Sequence, residues 1–351
     1  MADDEEAVMV IDGVAGSGTA EQISVEDVAA AVGLAVRAPS IHNTQPWRWV
    51  YGPRGLELYA DRDRQLPVVD PDGRALLVSC GAALYLAQLG LAGRGWRVAV
   101  SRFPDPDQPD LLARLVPIEL CPVDEEVRLL VAAAQRRRTE RRPFRPDPVP
   151  ATLLDDLVRQ SEKDGVYAHV VSRPDERLDL AVVMSWADQL EIDDDGYRAE
   201  LARWVRPSLL HKDDGVPVAA VPRILAGQQR HTDVPVRDFE VARRGALPIP
   251  ADVDEPATWM VLFTTGDDAA ARLRAGETYA RVSVLLERMG LASSAATQAV
   301  DLPGVRSRVR TLMQWADHPQ MVLRIGWAPT AADVTPTPRR PVADVFTVVD
   351  R

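Results

Sequence analysis

Hydrophobic and polar positions along the chain divide it into elements that can be read in order. Val25 to Val36 reads as a helix with Ser24 at its N-cap. Gln45 to Tyr51 and Leu56 to Ala60 read as two strands around the turn "GPRG". "GRALLVSCGAALYLAQLGLAGRG" is almost continuously apolar, which predicts a long helix buried on most sides. Strands follow at Trp96 to Phe103 and Leu112 to Leu120, separated by "PDPDQPD". Asp124 to Gln135 is helical and leads into "RRRTERRPFRPDPVP", whose prolines predict a boundary or hinge near residue 146. Ala151 to Gln160 and Glu176 to Leu190 read as helices with a strand, Ala168 to Ser172, between them.

From Trp204 to Pro250 the periodicity fades, a stretch too long for an ordinary connection and suited to a lid or wrapping segment. Thr258 to Thr265 then reads as a strand, Asp268 to Met289 as a long helix and Met321 to Trp327 as a strand. The terminal "TPTPRRPVADVFTVVDR" reads as extended. "YLAQLGLAG" (Tyr85 to Gly93) and "LLERMGLAS" (Leu285 to Ser293) end two long helices, each bracketed by strands. The match is either a chance likeness of buried helices or the mark of two related halves.

A chain of 351 residues with 46% hydrophobic residues can bury a large core and suits about two domains. No uninterrupted apolar run approaches the roughly 18 residues of a membrane span. Met1 to Ile23 is acidic, lacks the features of a signal peptide and reads as a solvated tail. Cys80 and Cys121 form neither a metal-ligand pattern nor a disulfide framework, so the expected location is the cytoplasm. A net charge of −11 argues against a general nucleic-acid binder. The only lysines are Lys163 and Lys212, so an anion site must be built from arginine or from backbone N–H groups.

Three clusters carry candidate chemistry. "RAPSIHNTQPWRW", Arg37 to Trp49, gathers amides, prolines and indoles at a helix–strand junction. Ala38 precedes Pro39 and is pushed out of the helical region, which stops the helix, and Ser40, Asn43 and Thr44 suit a turn. Neither fact accounts for Gln45, Pro46 and Trp47. The second cluster, Arg136 to Arg142, has five arginines in seven residues. They repel one another unless an anion sits among them or acids such as Glu140 and Asp147 pair with them; guanidinium forks match phosphate oxygens, and Thr139 could add a donor. Arg339 and Arg340 form the third, which alone reads as a charged tail. His42 reads as a turn residue rather than a metal ligand. No GxSxG, GxGxxG or GxxxxGK[ST] pattern is present.

"APSIHNTQPW" resembles the Pro-Ser-x-x-Asn-x-Gln-Pro-Trp motif of FMN-dependent nitroreductases, and "RRTERRPF" is similar to their Arg-Arg-Ser-x-Arg phosphate motif with Thr139 in place of serine. Together with "LLVSCGAAL" and "PRRPVADVF", in that order, they resemble the Acg-type nitroreductases of actinobacteria from about Val25 to Phe346. The resemblance implies an α+β fold, a mixed sheet wrapped by helices, in which two nitroreductase-like pseudo-subunits are fused into an intramolecular pseudo-dimer. The expected layout is a tail over 1–23, a first half over 24–135 and a second over 136–351, with a lid-like insertion at about 204–250.

The same resemblance implies FMN as cofactor. Its isoalloxazine ring, polar at the edges and flat on its faces, would meet Pro39, Ser40, Asn43, Gln45, Pro46, Trp47, Arg48 and Trp49. Its phosphate would meet Arg137, Arg138, Thr139, Arg141, Arg339 and Arg340, and Thr297 and Gln298 would pass near its reactive edge. No side chain stands out as a general acid or base. The implied activity is reduction of nitro compounds or quinones by NAD(P)H through FMN; the rival is a protein that holds FMN under the lid with little turnover. Strip and arginines combine only once across the two halves, which implies one FMN per chain in a monomer, with no nucleic-acid or membrane partner.

Overall fold

The computed structural model describes residues 23–162, 165–206, 213–223, 234–235, 237, 239, 245–247, 257–329 and 336–349. Most of the expected lid lies outside them. So does the expected tail, except Ile23, which is buried and accepts a hydrogen bond on its carbonyl from Tyr51 Oη (3.3 Å).

Helix α1 (Val25–Ala35) starts where Ser24 Oγ accepts the Asp27 N–H. The "GPRG" turn joins β1 (Trp47–Gly52) and β2 (Gly55–Ala60) in an antiparallel pair. Then come α2 (Arg74–Gly93), β3 (Trp96–Arg102), β4 (Leu111–Leu120) and α3 (Glu125–Arg136). After the arginine-rich segment lie α4 (Ala151–Glu162), β5 (Tyr167–Val171), α5 (Pro174–Asp193) and α6 (Asp195–Trp204). β6 (Val205–Arg206) and β7 (Val216–Pro217) pair in parallel. The chain ends with β8 (Thr258–Thr264), α7 (Ala269–Arg288), β9 (Ala292–Ala295), α8 (Gln298–Asp301), α9 (Pro303–Leu312), β10 (His318–Gly326), α10 (Val342–Val345) and β11 (Phe346–Val348). The terminal stretch read as wholly extended thus contains one short helical turn.

The fold is α+β in two parts. One sheet has the order β11-β1-β2-β4-β3, and the other β5-β8-β10-β9. The first is mixed, because β11 runs parallel to β1 while its other pairs are antiparallel; the second is antiparallel throughout. The last strand therefore closes the sheet that the first strands began. Helices α2 and α7, both 20 residues long, lie against each other between the two sheets. A Cβ on Gly81 would overlap the Leu273 carbonyl, and one on Gly276 would overlap that of Val78. Each helix thus offers its partner a glycine at the contact, which lets the backbones approach and unites the halves in one core.

Helix α2 is apolar and long enough to cross a membrane by composition, contrary to the expectation that no run approaches that length. Yet 83% of its most apolar window is buried inside the protein. The segment after α3 runs across the second sheet rather than hanging as a hinge. Glu140 N–H donates to the Ser293 carbonyl (3.1 Å), Arg145 N–H to that of Trp327 (3.0 Å), and Phe144 packs on Gly326 where any side chain would collide with its ring.

Candidate functional site

The strip at Pro39–Trp47 is a tight, irregular turn. His42, Asn43 and Gln45 have φ of 44°, 56° and 51°, the left-handed region that non-glycine residues occupy at a cost of order 1 kcal/mol or more each. Surrounding bonds hold it there. Ser40 Oγ accepts the Gln45 N–H (3.0 Å), Ser79 Oγ accepts the Ile41 N–H (3.1 Å), and Cys80 Sγ donates to the Pro46 carbonyl (3.1 Å). The amides of the strip fasten other segments. Asn43 Nδ2 donates to the carbonyls of Gly215 (2.9 Å) and Pro338 (3.0 Å), and its Oδ1 accepts from Arg339 (3.0 Å). Gln45 Nε2 donates to the Asp213 carbonyl (2.8 Å), and its Oε1 accepts the Arg340 N–H (2.8 Å). Both the segment after β6 and the C-terminal segment are therefore docked on this turn.

Beside it lie five guanidiniums. Arg37 comes from the end of α1, Arg137, Arg138 and Arg141 from the segment after α3, and Arg339 from the C-terminal segment. Their bonds go to neutral acceptors: Arg37 to the Gln135 carbonyl (2.5 Å), Arg137 and Arg339 to that of Arg37 (3.3 and 3.4 Å), Arg138 to that of Gln135 (3.1 Å), and Arg141 to that of Ala220 (3.5 Å). Among the described residues none of the five makes an ion pair with a carboxylate. The buried Nε atoms of Arg137 and Arg339 have no hydrogen-bond partner.

Burial and mutual repulsion disfavour the charges of Arg37, Arg137, Arg141 and Arg339. Burial, followed by the fields of Arg137, Arg37, Arg138 and Arg141, brings Arg339 down to about 9. Burial brings Arg141 down to about 10 and lowers Arg37 and Arg137 as well. The Tyr279 phenol of α7 faces Arg137, Arg141 and Arg339; burial raises it, while those three cations pull the other way.

The neighbouring arginines behave differently. Arg142 forms a buried fork with Glu140 (2.7 Å), Arg136 meets Glu287 (3.3 Å), and Arg340 meets Asp61 (3.5 Å) and the Gln45 carbonyl (3.3 Å). The structure thus brings together Arg137, Arg138, Arg141 and Arg339 of the expected phosphate set. It sets Arg340 apart, because consecutive residues of an extended chain point to opposite sides. Thr139 lies in the same segment, its backbone bridged to Ser293. Arg37 and Tyr279 join the cluster without having been anticipated.

The strip's aromatic end also departs from expectation. Trp47 and Trp49 are fully buried in the main core, and their indole N–H groups have no partner. Arg48 between them is exposed and lies over the Tyr59 ring (5.6 Å). Alternation along β1 explains the split, with the two indoles on the core face and Arg48 on the other.

A second buried polar group adjoins the turn. His42 Nε2 lies 3.2 Å from Arg237 Nη1 and accepts a hydrogen bond from it. Burial, with Arg237 and Arg141 nearby, pushes the imidazole well below 6.5, so it is neutral, and its Nδ1 is unpartnered. Arg237 also forks onto Glu191 (2.7 Å) and meets Asp301 (2.8 Å), which pairs with Arg74 (3.0 Å). Thr297 Oγ donates to Asp301 (2.7 Å), and Gln298 donates to Asp188 (3.2 Å) while its Oε1 is buried without a partner. Thr297 and Gln298 therefore belong to this network and not to the arginine cluster. The Phe239 ring links the two groups, edge-on to His42 (5.9 Å) and beneath Arg141 (5.4 Å).

This arrangement has relatives. A Mycobacterium tuberculosis H37Rv protein provisionally named an NAD(P)H nitroreductase is 40% identical over 325 residues, 91% of each chain. The chain belongs to the nitroreductase superfamily, among its Acg-type members. The M. tuberculosis protein provisionally named NAD(P)H nitroreductase acg is 32% identical over 337 residues, covering 93% of this chain and 97% of its own. No family model matches. An FMN-dependent nitroreductase from Mycobacterium smegmatis, solved with NADPH, overlaps 61% of this nitroreductase-family chain and 97% of its own at 20% identity. With a TM-score of 0.35, that overlap is too slight to carry an argument.

Proposed function

We propose that this nitroreductase-family protein binds one FMN per chain with the phosphate among Arg37, Arg137, Arg138, Arg141 and Arg339, and passes electrons from NAD(P)H to nitro compounds or quinones. The observation that carries the reading is the group of guanidiniums without a carboxylate, two of them with an orphaned, buried Nε. Uncompensated buried charges are costly, and a phosphate dianion relieves the cost while accepting several charge-assisted hydrogen bonds. Such a set fits a phosphate ester and gives no comparable hold on an unphosphorylated flavin.

FMN, when bound, supplies the two-electron carrier. The residues of the chain bind and orient. The arginines hold the phosphate end, and the strip fixes the turn and the C-terminal segment that carries Arg339. His42, neutral and with a free Nδ1, can exchange one hydrogen bond with a bound molecule. The residues come from both of the halves assigned to 24–135 and 136–351: Arg37 and the strip from the first, the other arginines from the second. One chain therefore suffices to build the site. The second half has no counterpart of the strip, since "SEKDGVYAHVVSRPDERLDL" after its first helix lacks Asn and Gln-Pro-Trp.

The holding function stands beside this reading on a separate observation. Asn43 and Gln45 direct their amides to the chain itself, and Phe239 lies between Arg141 and His42. These contacts of Asp213, Gly215 and Phe239 with the strip support a lid built from 204–250. An anaerobic mixture of the FMN-loaded protein with NADPH, followed by flavin absorbance, separates the two. Rapid bleaching supports the reductase, and unchanged absorbance with firmly bound FMN supports the holder. Failure to take up FMN refutes both.

A further inference from the structure

His42 stands in the middle of the strip, and only 5% of it is exposed. A guanidinium N–H can only donate, so the 3.2 Å contact from Arg237 Nη1 makes His42 Nε2 an acceptor. A neutral imidazole has a single ring N–H, which must then lie on Nδ1. That atom is buried and has no partner. The strip therefore presents one oriented donor, and a buried donor without an acceptor is costly until a ligand supplies one.

The surroundings keep the ring in that state. Arg237 is held on its other side, because its Nε and Nη2 donate to Glu191 of α5 (3.2 and 2.7 Å) and Nη2 also donates to Asp301 of α8 (2.8 Å). A second proton on the imidazole would displace that contact and stand beside Arg237 and Arg141; burial and these two cations keep the ring neutral. The acids of the network, Glu191 and Asp301, pair with Arg237 and not with the imidazole.

The donor also lies close to the phosphate set. The Phe239 ring is edge-on to His42 (5.9 Å) and beneath Arg141 (5.4 Å), so one phenyl group separates the imidazole from a phosphate-binding arginine. Beyond the phosphate and ribityl chain of FMN comes the isoalloxazine ring. Its edge carries carbonyl oxygens and unprotonated ring nitrogens, all hydrogen-bond acceptors, and reduction makes that edge richer in electrons.

Resting on the FMN reading above, we infer that His42 Nδ1–H donates a hydrogen bond to an acceptor atom at the isoalloxazine edge, with the tautomer set by Arg237. The contact recognises the ring as the arginines recognise the phosphate. It favours reduced flavin over oxidised, and no proton is transferred, since the imidazole keeps its hydrogen throughout.

Titrations of the intact apo protein with FMN and riboflavin test this in His42→Leu and His42→Asn. Leucine removes the donor. Asparagine suits the left-handed backbone and places an amide N–H near the position of Nδ1. His42→Leu should weaken FMN and riboflavin by the same factor, about tenfold, whereas loss of an arginine weakens FMN alone. His42→Asn should restore most of that loss. The midpoint potential of FMN bound to His42→Leu should fall by about 30 mV, a tenfold loss of preference for the reduced form. Nitrogen-15 NMR of the histidine-labelled wild type, with the His42 signals assigned by their absence from His42→Asn, needs no activity. It should show the Nδ1–H tautomer between about pH 6 and 8 and a shift of Nδ1 when FMN is added. An Nε2–H tautomer, an imidazole that titrates in that range, or equal losses in the two variants overturns the inference and leaves the phosphate site standing. So does a His42→Leu protein with unchanged flavin affinity and potential, including one in which only the KM for a quinone rises, which would place the donor on the electron acceptor. A wild type that takes up no FMN refutes both the inference and the reading beneath it.

Discussion

Replacing Arg339 by methionine should separate two effects that the native residue combines. In the ligand-free protein burial and the neighbouring guanidiniums hold Arg339 at about 9, well below an ordinary guanidinium. At about 1.4 kcal/mol per pH unit, that sets an upper bound of roughly 5 kcal/mol on the cost of keeping the charge at neutral pH. Methionine removes this cost but leaves Asn43 Oδ1 without its 3.0 Å donor, worth about 1–2 kcal/mol when buried. The two oppose each other, so the apo protein should lose no more than about 1 kcal/mol of stability. FMN binding loses a charge-assisted contact of about 1.5–3 kcal/mol, or roughly 10- to 150-fold in Kd. Riboflavin has no phosphate and should bind the variant as it binds the wild type. Flavin fluorescence titrations with both ligands, with chemical denaturation of the apo proteins alongside, read all three quantities. Equal weakening of FMN and riboflavin, or no weakening of FMN, refutes the placement of the phosphate at Arg339.

The depressed value near 9 also sets a pH dependence: the native apo protein sheds this proton near pH 9 while the unfolded chain keeps it to a much higher pH, so this group's contribution to apo stability rises with pH above about 9. Because the phosphate requires the charged form, FMN affinity should fall as pH rises through about 9 while riboflavin affinity does not, measured by titration on either side. Gly81→Ala should destabilise the protein by several kcal/mol in urea unfolding, since its Cβ would overlap the α7 backbone at Leu273, whereas Gly304→Ala, with open space around it, should change little. Phe239→Ala should speed reduction of bound FMN by dithionite if that ring covers the flavin, and an unchanged rate in a stopped-flow trace would count against the cover.

Much of the fold was readable because burial writes itself into pattern. The near-continuous apolar run of α2 predicted a helix buried on most sides, and "GPRG" between two apolar runs predicted the β1–β2 hairpin. Composition is ambiguous there: the same helix is long and apolar enough to cross a membrane, and its packing against α1, α7 and the first sheet accounts for that apolarity. At the site, adjacency in sequence misled where the backbone is extended. Arg339 and Arg340 look alike, yet one joins four arginines and the other pairs with Asp61. Trp47, Arg48 and Trp49 separate by the same alternation. Arg37 opens the stretch that drew attention first, but nothing local links it to Arg137, 100 residues on. Tyr279 is a single phenol in a long helix, and the pairing of His42 with Arg237 crosses 195 residues. Such partners are brought together by tertiary packing, which no local pattern records.

The central claim is a single phosphate-selective flavin site per chain. Titrating the purified wild-type protein with FMN and with riboflavin, and measuring bound flavin against protein concentration, tests it most directly. The account predicts one FMN per chain, bound orders of magnitude more tightly than riboflavin. Two flavins per chain, or equal affinity for the two ligands, would contradict it.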